Sequence, residues 1–162
     1  MRRLLIVVLL VLAVVFSVMS QPGTVAAGPD GTAQITLADG KRITIPKEPG
    51  QTGIREIRIA PDETVGWLAE YRVEAVRDPV AGTLVLWRAG KVIRRFTADQ
   101  SFYSWAFYAQ GKQVAYHVGP LHGESKSHCE LHDARSGRLI GMWDGELDSE
   151  GTRPAWTKVL TH

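Results

Sequence analysis

The chain has 162 residues, of which 44% are apolar and 22% charged, with a formal net charge of +2 and a single Cys. This length suits one domain. The charge balance argues against a disordered polyelectrolyte and against a nucleic-acid-binding protein. The single Cys excludes an internal disulfide and any CxxC motif.

The first twenty residues have the pattern of a secretory signal. Arg2 and Arg3 form a basic start, and residues 4–19 are apolar except for Ser17. This run is shorter than the ~20 residues that a spanning helix needs. It predicts a signal peptide over residues 1–20, with a short uncleaved N-terminal anchor as the alternative. We therefore expect a periplasmic or secreted protein that meets a membrane only through an uncleaved N-terminus.

A change in composition follows the apolar run. Residues 21–32 are rich in Gly, Pro and Ala and predict a flexible lead-in to a β-repeat domain over residues 33–162. Two alternating segments then flank Asp39 and Gly40. Because Asp-Gly is a strong turn signal between alternating segments, we predict a β-hairpin over residues 33–45.

The rest of the chain carries a weak internal repeat. The turn at Asp62 recurs 49 residues later at Gly111, and the turn at Gly90 recurs 47 residues later at Gly137. Repeats of about 40–50 residues with four short strands are typical of propeller blades. No segment after Met19 has helical spacing of its apolar residues. We predict an all-β fold with two four-stranded, propeller-blade-like antiparallel sheets plus an N-terminal β-hairpin.

The repeat resembles known blades at its turns. Residues 60–65 and 109–116 resemble the turn that opens a blade in WD40-like and PD40-type β-propeller repeats, and residues 133–139 resemble the turn before the last strand. The resemblance covers residues 54–143. The chain is also similar to small uncharacterised bacterial exported proteins, a resemblance that implies no activity and that rests on residues 105–107, 113–115, 121–123 and 130–131. Closed propellers need about 4–8 blades, so two sheets would pack as a sandwich or close by oligomerisation.

The densest group of metal-binding residue types lies in one predicted hairpin. If His117 pairs with His128, the strand histidines share a polar face and Cys129 points to the core. His128 and His132 would then be ~13 Å apart along the strand, too far to share one zinc ion. The candidate binding residues are His117, His122, Glu124, His128 and Glu130.

Two interpretations of this hairpin stay open. A zinc site would use His117, His122 and His128, with Glu124 or Glu130 as a fourth ligand. Alternatively, these residues form a solvated polar face beside a loop. No fixed-spacing metal motif decides between them.

The remaining candidate residues, Cys129 and the aromatic side chains, are predicted to pack in the core or at a surface rather than to catalyse a reaction. Cys129 has the character of a small buried hydrophobe, and no Gly-x-Ser-x-Gly motif is present. We expect no catalytic residue and no cofactor other than the zinc of the alternative interpretation. The aromatic residues predict core positions for Trp67, Trp87, Trp105 and Trp143, a tail-docking role for Trp156, and a recognition surface that includes Tyr103 and Tyr108.

These patterns predict an exported, non-catalytic binding or interaction module of the bacterial cell envelope. Loops after the strands would provide the contact surface for a protein or envelope partner, and open sheet edges allow a homo-oligomer. The alternative is a metal-binding protein, for example a metal-dependent hydrolase, built on the histidine-rich hairpin. A third interpretation is a structural subunit of an envelope assembly. No nucleic-acid partner is expected.

Overall fold

The computed structural model describes residues 24–27, 32–37, 39–74, 76–121, 127–145 and 153–160. In these ranges no helix has the length and apolar character needed to span a membrane. Short 3₁₀ segments occupy Ala109–Gly111 and Ala155–Leu160. The strands are β1 (Thr24–Ala27), β2 (Ala33–Thr36), β3 (Arg42–Ile45), β4 (Gly53–Ile59), β5 (Val65–Tyr71), β6 (Val80–Arg88), β7 (Lys91–Thr97), β8 (Ser101–Tyr108), β9 (Gln113–Gly119), β10 (Ser127–Asp133) and β11 (Leu139–Gly145).

The strands form three antiparallel sheets, each made of neighbours in the chain. The N-terminal sheet has the order β1-β2-β3, the first-repeat sheet β4-β5-β6-β7, and the second-repeat sheet β8-β9-β10-β11. None of these sheets closes into a barrel within the described ranges. The predicted all-β class with two four-stranded antiparallel sheets is therefore confirmed.

The N-terminal sheet contains the predicted hairpin and one additional strand. Gly40 adopts a left-handed φ of 82°, and the Asp39 carboxylate accepts a hydrogen bond from the backbone N–H of Lys41 at 2.8 Å. Strand β1 lies inside residues 21–32, which we predicted as a lead-in without regular structure. It forms because β2 presents a free edge, on which Thr24 pairs with Thr36.

The three sheets and the C-terminal 3₁₀ helix stack on one another, with an apolar layer between each pair of neighbours. The first layer lies between the N-terminal and first-repeat sheets, the second between the two repeat sheets, and the third between the second-repeat sheet and the C-terminal 3₁₀ helix. The predicted core tryptophans Trp67 and Trp87 belong to the first layer and Trp105 to the second, while Trp143 packs partly buried against the third. Both faces of each repeat sheet are therefore covered, without a closed ring.

The indole of Trp105, on the second-repeat sheet, packs against the first-repeat sheet and donates a hydrogen bond to it. It is fully buried, and its N–H donates a 2.8 Å hydrogen bond to the backbone carbonyl of Glu56. The ring lies directly over Gly66, where an added Cβ would come within 2.3 Å of it. The guanidinium of Arg55 donates to the carbonyl of Phe102 at 2.9 Å. A side chain larger than hydrogen at residue 66 would therefore separate the sheets.

Equivalent turns of the two repeats also touch. Gly111 has a φ of 85°, and a Cβ added there would lie 2.6 Å from the Cβ of Ala60. The two residues occupy the strand-joining turns that the sequence repeat aligns. Glycine is required at this position both by its left-handed backbone and by the close approach of the neighbouring turn.

The C-terminal 3₁₀ helix covers the far side of the second-repeat sheet. The hydroxyl of Ser104 donates to the carbonyl of Leu160 at 3.0 Å, and both Leu160 and Thr157 are buried. Trp156 packs against the same apolar layer, which confirms its predicted docking role. This contact closes the stack on the side that a third blade would occupy in a propeller.

Candidate functional site

The pairing of β9 with β10 differs by one residue from the predicted hairpin. Cys129 lies opposite His117, and His128 lies opposite Val118. The predicted pairing of His117 with His128 is therefore wrong. A one-residue shift moves every side chain of a strand to the other face of the sheet, so His117 and His128 lie on opposite faces.

The sequence could not fix this register because both faces of the sheet are buried. Ala115, Cys129 and Leu131 belong to the layer beneath the C-terminal 3₁₀ helix. Val114 and Tyr116 face the first-repeat sheet. Because apolar residues lie on both faces of these strands, the sequence pattern does not show which residues face the same side of the sheet.

The predicted site residues are consequently divided. His117 is buried on the face of Cys129, and its ring packs 5.1 Å from that of Tyr103. His128 and Glu130 lie together on the opposite face, towards the first-repeat sheet. His122 and Glu124 lie outside the described residues.

A polar network occupies the face that carries His128 and Glu130. Glu130 is its centre: one carboxylate oxygen, Oε1, is 2.9 Å from His128 Nε2. The other, Oε2, is 2.5 Å from both the Tyr116 hydroxyl and His132 Nε2. The network extends outward from His128 Nδ1 to the carboxylate of Asp144 at 2.6 Å, and inward from His132 Nδ1 to the carbonyl of Gly137 at 3.0 Å.

The partners of each histidine determine where its protons lie. Both ring nitrogens of His128 face carboxylates, which only accept hydrogen bonds. His132 faces a carbonyl on Nδ1 and a carboxylate on Nε2. The His128 ring therefore carries two N–H groups when Glu130 and Asp144 are ionised. The Tyr116 hydroxyl lies 2.9 Å from His132 Nε2.

The pKa shifts agree with this arrangement. Hydrogen bonds to Asp144 and then to Glu130 raise the pKa of His128 above its ordinary value. Burial alone would raise the pKa of Glu130, but hydrogen bonds from Tyr116, His132 and His128 outweigh it and leave that pKa lowered. Burial, with the hydrogen bond to Glu130, raises the pKa of the Tyr116 phenol. The carboxylate is thus held ionised by three donors.

The first repeat has an apolar cluster where the second has this network. Trp67 lies opposite Val85 in the first repeat, as Tyr116 lies opposite Glu130 in the second. In the same way Val65 pairs with Trp87, while Val114 pairs with His132. Tyr116, Glu130 and His132 therefore occupy the positions that Trp67, Val85 and Trp87 fill in the first repeat.

The network opens onto a groove of about 520 Å³ beside the connection between β7 and β8. Polar side chains dominate its lining, and its charged members are Asp99, Glu130 and His128. A second groove of about 440 Å³ lies beside the same connection and shares residues 98–100 with the first. Its lining is mainly apolar: Tyr71, Val73, Val80, Gly82, Ala98, Pro120 and Leu121, with Asp99, Gln100 and Ser101.

Cys129 lies apart from this site. Its thiol is fully buried in the layer beneath the C-terminal 3₁₀ helix. Burial raises the pKa of the thiol to about 12. A thiol in this environment is protonated at neutral pH and is a packing residue rather than a nucleophile, in agreement with the inward orientation predicted from the sequence.

Sequence reasoning missed three members of the network. Tyr116 and Asp144 are not among the candidate residues that the sequence predicts. His132 is left out of the predicted site because strand geometry keeps it from sharing an ion with His128. The available signal was the spacing of His128, Glu130 and His132, which places alternate residues of one strand on one face.

The structure describes two of the three histidines of the zinc hypothesis, His117 and His128. Among the residues that the structure describes, no three His, Cys, Asp or Glu side chains are grouped so that they could hold one metal ion. Since His122 and Glu124 lie outside those residues, the site on His117, His122 and His128 stays a prediction. The separation of His117 from His128 on opposite faces weighs against it.

No protein-family model matches the chain, and no curated protein matches it significantly in sequence. The resemblance to propeller repeats therefore stays an expectation from the sequence. The functional argument rests on the site itself.

Proposed function

We propose that the chain is an exported, non-catalytic binding module of the bacterial cell envelope, and that it holds a short segment of a protein partner in the two adjoining grooves. The observation that carries the proposal is the network around Glu130, which occupies positions that apolar side chains fill in the first repeat and which opens onto a groove. A polar network is a poor substitute for apolar packing as a source of stability. Its position beside an accessible cavity favours a role in recognition.

The charges of the lining suggest the chemistry of the bound segment. Asp99 supplies a carboxylate, whereas Glu130 and His128, the other two charged side chains of the two described linings, are paired with each other. The second groove offers apolar contacts, including Val73 and Leu121, which are 42% and 40% exposed. Exposed apolar side chains that converge on one groove mark an interaction site. A segment with a basic side chain next to apolar ones fits both halves.

Peptide titration followed by NMR of the ¹⁵N-labelled chain tests this function. The probes are acetyl-Leu-Lys-Leu-amide and its matched counterpart acetyl-Leu-Glu-Leu-amide. We expect the lysine peptide to shift the amide signals of Asp99, Gln100 and Tyr116, and the glutamate peptide to leave them unchanged. Asp99→Asn should weaken the lysine peptide's binding, whereas Asp78→Asn, an exposed control, should not. Equal responses to both peptides would contradict the proposed chemistry.

The export part of the proposal has its own test. The basic start and apolar run of residues 1–20 support processing by a secretory pathway. Expression in a bacterial host, followed by fractionation and N-terminal sequencing, should recover a shortened chain from the periplasm or medium. Recovery of the intact chain from the cytoplasm alone would contradict export and leave the groove proposal untouched.

A further inference from the structure

The third strand of the first-repeat sheet extends beyond the edge strand that covers it. Strand β6 begins at Val80, but its pairing with β7 ends at Thr83, which lies opposite Thr97. After Thr97 the chain leaves the sheet and crosses to β8. Within the described structure, no backbone hydrogen bond joins this crossing to residues 80–82. Residues 80–82, the uncovered end of β6, therefore have a neighbouring strand only on the side of β5.

The uncovered end of β6 borders the mainly apolar groove, whose lining includes Val80 and Gly82. Other members of the lining come from both sides of the first-repeat sheet. Tyr71 packs on the layer towards the N-terminal sheet, whereas Ser101 and Leu121 belong to the second repeat, on the opposite side. The groove therefore passes along the edge of β6, beyond the end of β7, rather than over one face of the sheet.

A bulge and a glycine mark the uncovered end of β6. The register between β5 and β6 shifts here, so that Gly82 is an extra residue without a partner on β5. Bulges occur often beside functional sites, where they interrupt or redirect pairing. A glycine inside a strand also leaves room for another backbone to approach closely. The uncovered end thus combines backbone groups that lack a second neighbouring strand with space for a second chain.

We propose that the bound segment adds to the uncovered end of β6 as a short extended strand, antiparallel to β6 and in line with β7; this inference rests on the proposed function. In strand addition, main-chain hydrogen bonds supply affinity and pockets for side chains supply specificity. The carboxylate of Asp99, on the crossing from β7 to β8, provides the charge complementarity that selects a basic segment. The ligand class is therefore an extended basic and apolar peptide whose backbone N–H groups are unmodified.

Two N-methylated peptides test whether the backbone of the segment pairs with β6. Successive N–H groups of an extended strand point to opposite edges, so only alternate ones can face β6. Acetyl-Leu-Lys-Leu-amide is methylated either on the lysine nitrogen or on the nitrogen of the second leucine, which gives two peptides of equal charge and composition. By isothermal titration calorimetry with the full chain, we expect one to bind about tenfold more weakly than the unmethylated peptide, and the other to stay within about threefold of it.

Amide hydrogen exchange of the chain provides a second readout. Saturating unmethylated peptide should slow exchange by about tenfold at one or more amides of residues 80–82, because a peptide carbonyl accepts their hydrogen bond. The control is the amide of Leu86, which has partner strands on both sides and should not change. Equal affinities of the two methylated peptides, or unchanged exchange at residues 80–82 while the unmethylated peptide binds, would overturn strand addition and leave the proposed function standing. Failure of the unmethylated peptide to bind would instead refute the proposed function, and this inference with it.

Discussion

In both repeats the second and third strands pair in the same way, but the side chains on one face of the sheet differ in chemistry. This face packs on the N-terminal sheet in the first repeat and on the first-repeat sheet in the second. In the first repeat that face holds Trp67 and Trp87, which pack on the N-terminal sheet. In the second repeat the equivalent positions hold Tyr116 and His132, with Glu130 between them. One backbone arrangement therefore accommodates both a dry layer and a hydrogen-bonded network.

The difference shows that the two repeats are stabilised by different interactions. Apolar burial in the first repeat contributes about 25 cal/mol per Å² removed from water. The network of the second repeat must offset the desolvation of its charged groups, and it does so only while every member has its partner. We therefore expect removal of bulk to destabilise the first repeat, and removal of single hydrogen bonds to destabilise the second.

The largest effect should come from breaking the apolar layer. Trp67 is fully buried, and Trp67→Ala should lower the free energy of unfolding by about 3–5 kcal/mol, measured by chemical denaturation. Trp67→Phe is the matched control. It keeps an aromatic ring and removes an indole N–H that has no hydrogen-bond partner in the described structure, so its loss should be clearly smaller. Equal losses would show that bulk at residue 67 is not what stabilises this layer.

A smaller loss should follow from neutralising the centre of the network. Glu130→Gln keeps the side-chain size, but its amide NH₂ replaces one of the two acceptor oxygens and so faces the N–H group of either His128 or His132. We expect a loss of about 1–3 kcal/mol in the free energy of unfolding. The control Glu74→Gln changes an exposed residue and should have little effect. If Glu130→Gln left the free energy of unfolding unchanged, the network would not be formed in solution.

Removing one donor should have a smaller effect again. Tyr116→Phe keeps the ring that packs on Phe102 and His132 and removes the hydroxyl that donates to Glu130. The expected loss is about 0.5–1.5 kcal/mol. In a double-mutant cycle with Glu130→Gln the two losses should not add, because both changes act on the same hydrogen bond. Strict additivity would place the tyrosine outside the network.

The smallest expected effect is the pH dependence, since His128 is partly exposed and solvent screens its interactions. The lowered pKa of Glu130 stabilises the fold above the ordinary value of 4.5, and this contribution is lost as the pH falls through the folded-state pKa. The raised pKa of His128 stabilises the fold below 6.5, and this contribution is lost as the pH rises through the folded-state pKa. Stability should therefore be greatest between these two values.

Urea denaturation across the pH range measures this profile. In Glu130→Gln the acid slope should weaken, and what is left comes in part from Asp133, whose pKa is also lowered. The alkaline slope should weaken but persist, because Asp144 is the larger cause of the raised His128 pKa. Stability that increases steadily above pH 7 would contradict a doubly protonated His128.

Much of the fold could be predicted from the sequence because it depends on local signals. The turn at Asp39 and Gly40 follows from residue type, and the buried positions of Trp67 and Trp105 follow from their place in alternating strands. Strand β1 could not be predicted in the same way. Its four residues carry little pattern of their own, and pairing depends on the free edge that β2 provides.

The candidate site was only partly predictable. His128 and Glu130 were identified because residues with ionisable side chains cluster in the sequence. Their association with Tyr116, His132 and Asp144 depends on the register of three strands. A shift of one residue between β9 and β10 would have joined His128 to His117 instead.

The sequence by itself determined the all-β class, the repeat, the turns and the clustering of ionisable residues, because each depends on neighbours along the chain. The tertiary structure alone decided which ionisable residues meet. Both faces of the second-repeat sheet are covered, by the first repeat and by the C-terminal 3₁₀ helix. Under these conditions the register is chosen by packing against other layers, and that choice places Glu130 among its three donors.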